Sequence, residues 1–243
     1  MAKCELCGLE MLEAKDRIKT SVPEEEKDVH TPSAAILIPI VRDKDGPALL
    51  MEVRSMNVWQ PGEICFPGGH IEAGENCIDT ALRETYEELG IRTSSVNVLQ
   101  RMEPEWHLEK MFVYPVLAEI DPFEPERLLL RQEEVSEVFT MPFAWLLSHE
   151  PAVYDISDPE SEKLPVILRQ YLRNYKRRSN TTYYWAYEQY GIWGLTARFL
   201  VRFREMYSFS RGRLPSQVAK LVRLDMYFSM VAVARSAAMR VLR

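Results

Sequence analysis

Three glutamates crowd into a five-residue stretch, in the pattern Gly69-x5-Glu75-x7-Arg83-Glu84-x-x-Glu87-Glu88-x-Gly90. At about 100° per helical residue, Glu84, Glu87 and Glu88 fall within one arc of roughly 100°. Ile78, Leu82, Tyr86 and Leu89 fall on the other side, which predicts a helix that buries its apolar face and presents three carboxylates. A solvated acidic face is the common meaning of such a pattern. Against it, Glu84 and Glu88 stand at i, i+4, where like charges destabilise a helix. Arg83 offsets part of this by pairing with Glu87. The alternative is a face that holds a hard cation such as Mg²⁺ or Mn²⁺, which takes oxygen ligands and supplies the missing charge.

The flanking residues favour the second reading. Phe66-Pro67-Gly68-Gly69 is a tight turn in which backbone carbonyls can approach a metal without side-chain obstruction. Glu75 lies near the helix start, where its charge suits the helix dipole. Seven fixed Gly, Glu and Arg positions at roughly 7% usage recur by chance at about 10⁻⁸ per start site, or about 10⁻⁶ over the chain. Coincidence does not account for the spacing.

The elements that must position these residues are legible in outline. A strand is predicted at Ala34 to Ile38, then a hairpin turn at Asp43-Lys44-Asp45-Gly46 into Ala48 to Val53. A Pro/Gly-punctuated stretch from Gln60 to Gly74 leads to the helix Asn76 to Leu89, stopped by Gly90. Strands are expected at Val96–Met102, Met111–Ile120, Val135–Thr140 and Tyr183–Tyr187, with helices at Pro142–Leu147 and Trp193–Tyr207. Intermixed strands and helices joined by hairpins predict an α/β sandwich around a mixed sheet.

At 243 residues and 47% hydrophobic content the chain can bury a full core. The expected organisation is a polar N-terminal extension (1–31), a catalytic domain (32–207) and a basic amphipathic helical tail (208–243). From Arg198 onward there are ten Lys/Arg against two acids. The tail is expected to dock on the domain or on a second copy of the chain, so a homodimer is among the expected assemblies. A net charge of −6 argues against a nucleic-acid binder. The absence of an apolar run near 20 residues argues against a membrane span, and the charged N-terminus against a signal peptide. A cytoplasmic location is expected. Cys4 and Cys7 have ligand spacing, but a zinc site needs four ligands. His30, His70, His107 and His149 are isolated, so an ordinary reduced segment is expected.

The Gly69–Ile91 pattern is similar to the Nudix box, Gly-x5-Glu-x7-Arg-Glu-U-x-Glu-Glu-x-Gly-U, where U is a bulky apolar residue. Ile91 fits the last position, and Thr85 departs from the earlier one. The resemblance implies the Nudix α/β/α sandwich and metal-dependent hydrolysis of a nucleoside diphosphate linked to another moiety. It implies that Glu84, Glu87, Glu88 and the Gly69 carbonyl bind the metal, and that Arg83 and Glu75 hold loop and helix together. Glu84 is the first choice of general base, with Glu134 or Glu137 as the rival.

Residues outside the box bear on the substrate. Leu50 to Ser55, followed by Gly62-Glu63-Ile64-Cys65-Phe66-Pro67-Gly68-Gly69, resembles the signature of coenzyme A diphosphatases in that family. The usual Arg and His are replaced near Val58 and Gln60, the usual Gln is Glu63, and the segment after Ser55 is one residue shorter. Later segments, including Ile192-Trp193-Gly194-Leu195-Thr196-Ala197, resemble the same group. The implied reaction splits coenzyme A or a derivative into adenosine 3′,5′-bisphosphate and 4′-phosphopantetheine. Arg54, Ser55 and Trp59 are the candidate substrate contacts, with Trp106 also placed to stack on adenine and Lys176-Arg177-Arg178 to meet the 3′-phosphate. Trp193 is read as core and His107 as a loop residue. The alternatives are a pyrophosphatase for ADP-ribose, NADH or nucleoside triphosphates, and a non-catalytic nucleotide- or protein-binding module.

Overall fold

The computed structural model describes residues 33–209 apart from 45, 108–110, 159 and 175–180. Cys4, Cys7, Lys176-Arg177-Arg178, the His107 side chain, the N-terminal extension and all but the first two residues of the expected tail lie outside the described residues.

The strands are β1 (Ser33–Asp43), β2 (Gly46–Arg54), β3 (Ile64–Cys65), β4 (Gly68–His70), β5 (Val96–Arg101), β6 (Glu105–His107), β7 (Met111–Ile120), β8 (Val135–Pro142), β9 (Ala152–Asp155), β10 (Thr181–Tyr187) and β11 (Tyr190–Trp193). The helices are α1 (Cys77–Leu89), α2 (Phe143–Ser148), α3 (Val166–Asn174) and α4 (Gly194–Phe209). None of these helices is long and apolar enough to cross a membrane.

β1 through β8 form one sheet with the order β3-β2-β1-β7-β5, in which β4 pairs with β1, β6 with β7 and β8 with β2. The β1–β7 pair is parallel and the others antiparallel, so the sheet is mixed as expected. Strand β1 is apolar almost throughout because both of its faces are covered. Ala35 and Leu37 point with Val116 and Ala118 toward α1. Ile38 and Ile40 point the other way, into a core shared with Leu49, Met51, Trp185, Phe199 and Phe203. This two-residue alternation puts helices on both faces.

Asn76 caps α1 by accepting hydrogen bonds from the amides of Ile78 (2.8 Å) and Asp79 (3.0 Å). Gly90 ends it at φ 72°, a left-handed conformation that glycine adopts without penalty.

The structure corrects the expected buried face of α1. Cys77, Thr80, Ala81, Thr85, Glu88 and Leu89 are buried, while Tyr86 is 55% exposed. The small side chains at 77, 81 and 85 let the helix lie close on β1 and β7. That close approach turns Glu84 and Glu88 inward, where the sequence reading had put them outward. Thr85 satisfies its buried hydroxyl by donating to the Ala81 carbonyl at 2.7 Å.

Other differences are local. The Pro/Gly-punctuated stretch contains the two short strands β3 and β4. Trp193 ends β11, so the last helix begins one residue later than expected. β6, β9 and α3 were not anticipated. β9–β11 form a separate antiparallel sheet beside the main one. Thr196 Oγ1 ties α4 to β3 by donating to the Ile64 carbonyl at 2.9 Å.

Candidate active site

The site forms where α1, the β3–β4 turn, the end of β2 and the loop before β8 meet. Arg83 organises it. Its Nε and Nη2 reach Glu75 Oε1 and Oε2 at 2.8 and 3.1 Å, a bidentate grip across eight residues. Its Nη1 reaches Glu84 Oε1 at 2.9 Å and Glu87 Oε2 at 3.4 Å, and Nη2 also donates to the His70 carbonyl at 3.2 Å. Thr80 Oγ1 adds a 2.8 Å bond to Glu75. The Arg83 hydrogen bonds are the main cause holding the Glu75 carboxyl down at about 2.

The two inward glutamates have different anchors. Glu88 is buried and accepts from the Gly68 amide at 2.9 Å, yet burial still pushes its carboxyl well above the usual range. Glu84 is raised by burial and held back by Arg83. It lies so close to Gly69 that an added Cβ there would come within 2.2 Å of Glu84 Oε1. Only glycine fits this contact. Glu87 sits at the rim with its side chain 41% exposed.

Glu52 is the residue the sequence reading missed. It faces Cys65 across the β2–β3 pair, and the Cys65 thiol lies 3.8 Å from its Oε2. The residue is 1% exposed, and its Oε1 has no hydrogen-bond partner. Burial first, then repulsion from Glu88, drives its carboxyl upward, and Arg54 partly opposes this. An acid within the buried run Leu49-Leu50-Met51 was the available signal, since an unpaired buried carboxylate is costly.

Arg54 stands where the β2–β8 register shifts, a bulge of the kind that re-aims side chains beside functional sites. Its Nε donates to the Trp59 carbonyl at 2.9 Å, and its charge acts on Glu52, Glu63 and Glu88. Glu63 is pushed up to about 8 by burial, against the pull of Arg54. Glu134 adds negative charge to the field at Glu52, Glu84 and Glu88, and pairs with Arg131 at 3.2 Å. Arg131 in turn donates its amide to the Glu88 carbonyl at 2.9 Å, tying this loop to α1.

Ser55 and Trp59 take other places. Ser55 is buried, with its hydroxyl donating to the Glu133 carbonyl and its amide to the Glu134 carbonyl at 2.8 Å, so it fixes the loops that carry Arg54 and Glu134. The Trp59 ring is 51% exposed. Trp106 and Trp193, rather than Trp59, line a cavity of about 590 Å³ that Arg54, Glu63 and Cys65 share with the site.

Among the described residues, no three His, Cys, Asp or Glu side chains are already gathered into a metal-binding cluster. Arg83 and the Gly68 amide hold Glu84 and Glu88 instead. The donor set nonetheless suits a hard divalent cation, because it is all oxygen and crowds carboxylates out of water. The unpartnered Glu52 Oε1 marks the same unmet need for positive charge.

Comparisons with known proteins agree with this geometry. The NUDIX domain profile matches residues 31–159. The "Mitochondrial coenzyme A diphosphatase NUDT8" of Homo sapiens is 39% identical over 125 residues, which is 50% of this chain and 53% of that protein. The chain thus spans about half the length of that relative. The "Uncharacterized Nudix hydrolase NudL" of Escherichia coli (strain K12 / DH10B) is 34% identical over 168 residues, 68% of this chain and 77% of that protein. A solved Ap4A hydrolase of C. elegans has 21% identity and a TM-score of 0.39, covering 48% of this chain and 84% of that one. With its box assembled on α1 and its domain matched over more than half its length, the chain belongs to the Nudix hydrolase family.

Proposed function

We propose that the protein is a divalent-cation-dependent diphosphatase acting on coenzyme A or a derivative, with adenosine 3′,5′-bisphosphate and 4′-phosphopantetheine as products. The observation that carries this reading is the inward turn of Glu84 and Glu88 beside Gly68-Gly69, next to a buried Glu52 and a cationic Arg54. Coenzyme A is favoured by the segment from Leu50 to Gly69 and by likeness to the human coenzyme A diphosphatase.

Glu84, Glu87, Glu88 and the Gly69 carbonyl would hold the cation, Mg²⁺ or Mn²⁺. When bound, it polarises the phosphoryl oxygens and eases deprotonation of water. The chain's own residues do the rest. Arg54 takes up charge on the diphosphate. Water attacks one phosphorus, the bond to the bridging oxygen breaks, and a carboxylate accepts the water's proton. Glu84 suits that role because burial raises its affinity for a proton toward the working pH, and Glu134 is the rival. Arg83, clamped by Glu75, keeps Glu84 oriented throughout.

The test is to incubate the protein with Mg²⁺ or Mn²⁺ and coenzyme A, ADP-ribose, NADH or dNTPs, and to identify the products. Cleavage of coenzyme A to the two named products is expected. Turnover of ADP-ribose alone would overturn the substrate, and turnover of nothing would favour a binding module.

A further inference from the structure

The cavity of about 590 Å³ beside the site is mostly apolar, and its size lies in the range of ligand pockets. On one wall stand Ile64, Phe66 and Phe199 of the main core. On the other stand Ile156 and Leu172, which belong to a separate small cluster built by β9 and α3. Leu168, 1% exposed, also faces the space. Two apolar surfaces therefore look at each other across a gap where tight packing would be the norm. Leaving such a gap unfilled forfeits the contacts that hold cores together.

The gap is continuous with the chemistry. Arg54, Glu63 and Cys65 line it, and Cys65 is the strand partner of Glu52. A substrate whose diphosphate meets Arg54 can therefore extend an arm into it. The nearby cation Arg198 is already paired with Glu105 at 3.5 Å and with the Trp106 carbonyl at 3.3 Å. That pairing makes the interior a poor host for a second anionic group and a good host for hydrocarbon.

We propose that this cavity receives the apolar acyl end of a thioester substrate, so that the enzyme prefers acylated coenzyme A to the free thiol. The inference rests on the diphosphatase reading above and extends it to the far end of the substrate. Leu168 and Val153 then set the length of chain accepted. Val153 is 62% exposed at the cavity's edge, so a larger residue there can narrow the space without entering the core.

The test has two arms on the full-length protein. In the first, kcat/KM is measured with Mg²⁺ for coenzyme A and its acetyl, hexanoyl and decanoyl thioesters. KM is expected to fall by about two- to fourfold per methylene until the cavity is filled. In Val153→Trp and Leu168→Trp the preference for decanoyl over free coenzyme A is expected to drop at least tenfold, with Val153→Trp as the variant less exposed to misfolding. In the second arm, calorimetry in EDTA compares binding of coenzyme A and decanoyl-coenzyme A without turnover. Cleavage with no dependence on chain length overturns the proposal and leaves the diphosphatase reading standing. Tighter decanoyl binding that Val153→Trp abolishes, with no cleavage of any substrate, supports the pocket and overturns the diphosphatase reading instead. Equal binding of both ligands overturns the pocket.

Discussion

Gly69 and Glu84 are in direct apposition: a Cβ on the glycine would lie 2.2 Å from Glu84 Oε1. The contact joins the turn after β3 to the buried face of α1, so the Gly69 backbone and the Glu84 carboxylate share one small volume. Gly69→Ala is expected to push Glu84 off this position and lower kcat at least 100-fold. A melting temperature near that of the unmodified protein would show that the site, and not the fold, was lost. Full activity in the alanine variant would mean that this apposition is irrelevant to catalysis.

Removing a carboxylate from the inward face has a different signature. Glu84→Gln is expected to abolish turnover at any Mg²⁺ or Mn²⁺ concentration, as EDTA does in the unmodified protein. Glu87→Gln, at the exposed rim, is expected to leave measurable activity that rises with added metal. A titration of rate against metal concentration separates the two. Equal losses in both variants would contradict the difference in burial.

Arg83 and Glu75 define an acid limit. The carboxyl of Glu75 is held at about 2, below its ordinary 4.5. Its pairing with Arg83 therefore contributes stability fully above pH 4.5, and that contribution fades as pH falls toward about 2. The pair is near the surface, so the contribution is modest. Glu75→Gln is expected to lower the melting temperature by roughly 2 °C at pH 7, with the gap closing between pH 4.5 and 2. A gap that stays constant on acidification would count against the ion pair as its source.

Glu63 works in the opposite direction. Its carboxyl is raised to about 8, so the folded state keeps a proton that the unfolded state releases near 4.5. Stability should therefore fall as pH rises from about 4.5 to about 8, then level off. Glu63→Gln is expected to flatten that decline, and to prevent the rise in KM that an ionised Glu63 imposes on an anionic substrate above pH 8. Superimposable melting and KM profiles for the two proteins would refute this.

Arg54 is the cation nearest both the carboxylates and the cavity. Arg54→Ala is expected to raise KM about 10- to 100-fold, and Arg54→Lys to recover only part of it, because an ammonium cannot make a bidentate bond. A change confined to kcat would move Arg54 out of the binding role.

The box residues and the helix that carries them were legible from spacing alone, because helical period and capping are local properties. Asn76 caps and Gly90 stops α1 at the expected places. The mixed sheet was also readable from alternation and turn residues. Which face of α1 turns inward was not, since that depends on the surface it meets. Small residues at 77, 81 and 85 let it settle on β1 and β7, burying Glu88 and leaving Tyr86 outside. Nor could the sequence bring Glu52 to the site, because its neighbours come from β3, α1 and the loop before β8. The cavity had even less local trace: its walls are Phe66 on one side and Leu168 on the other, a hundred residues apart in sequence. The sequence by itself determined the reacting groups and their order along a helix. Only the tertiary structure decided which of them share a desolvated space, because burial and long-range charge belong to the packed chain and to no segment of it.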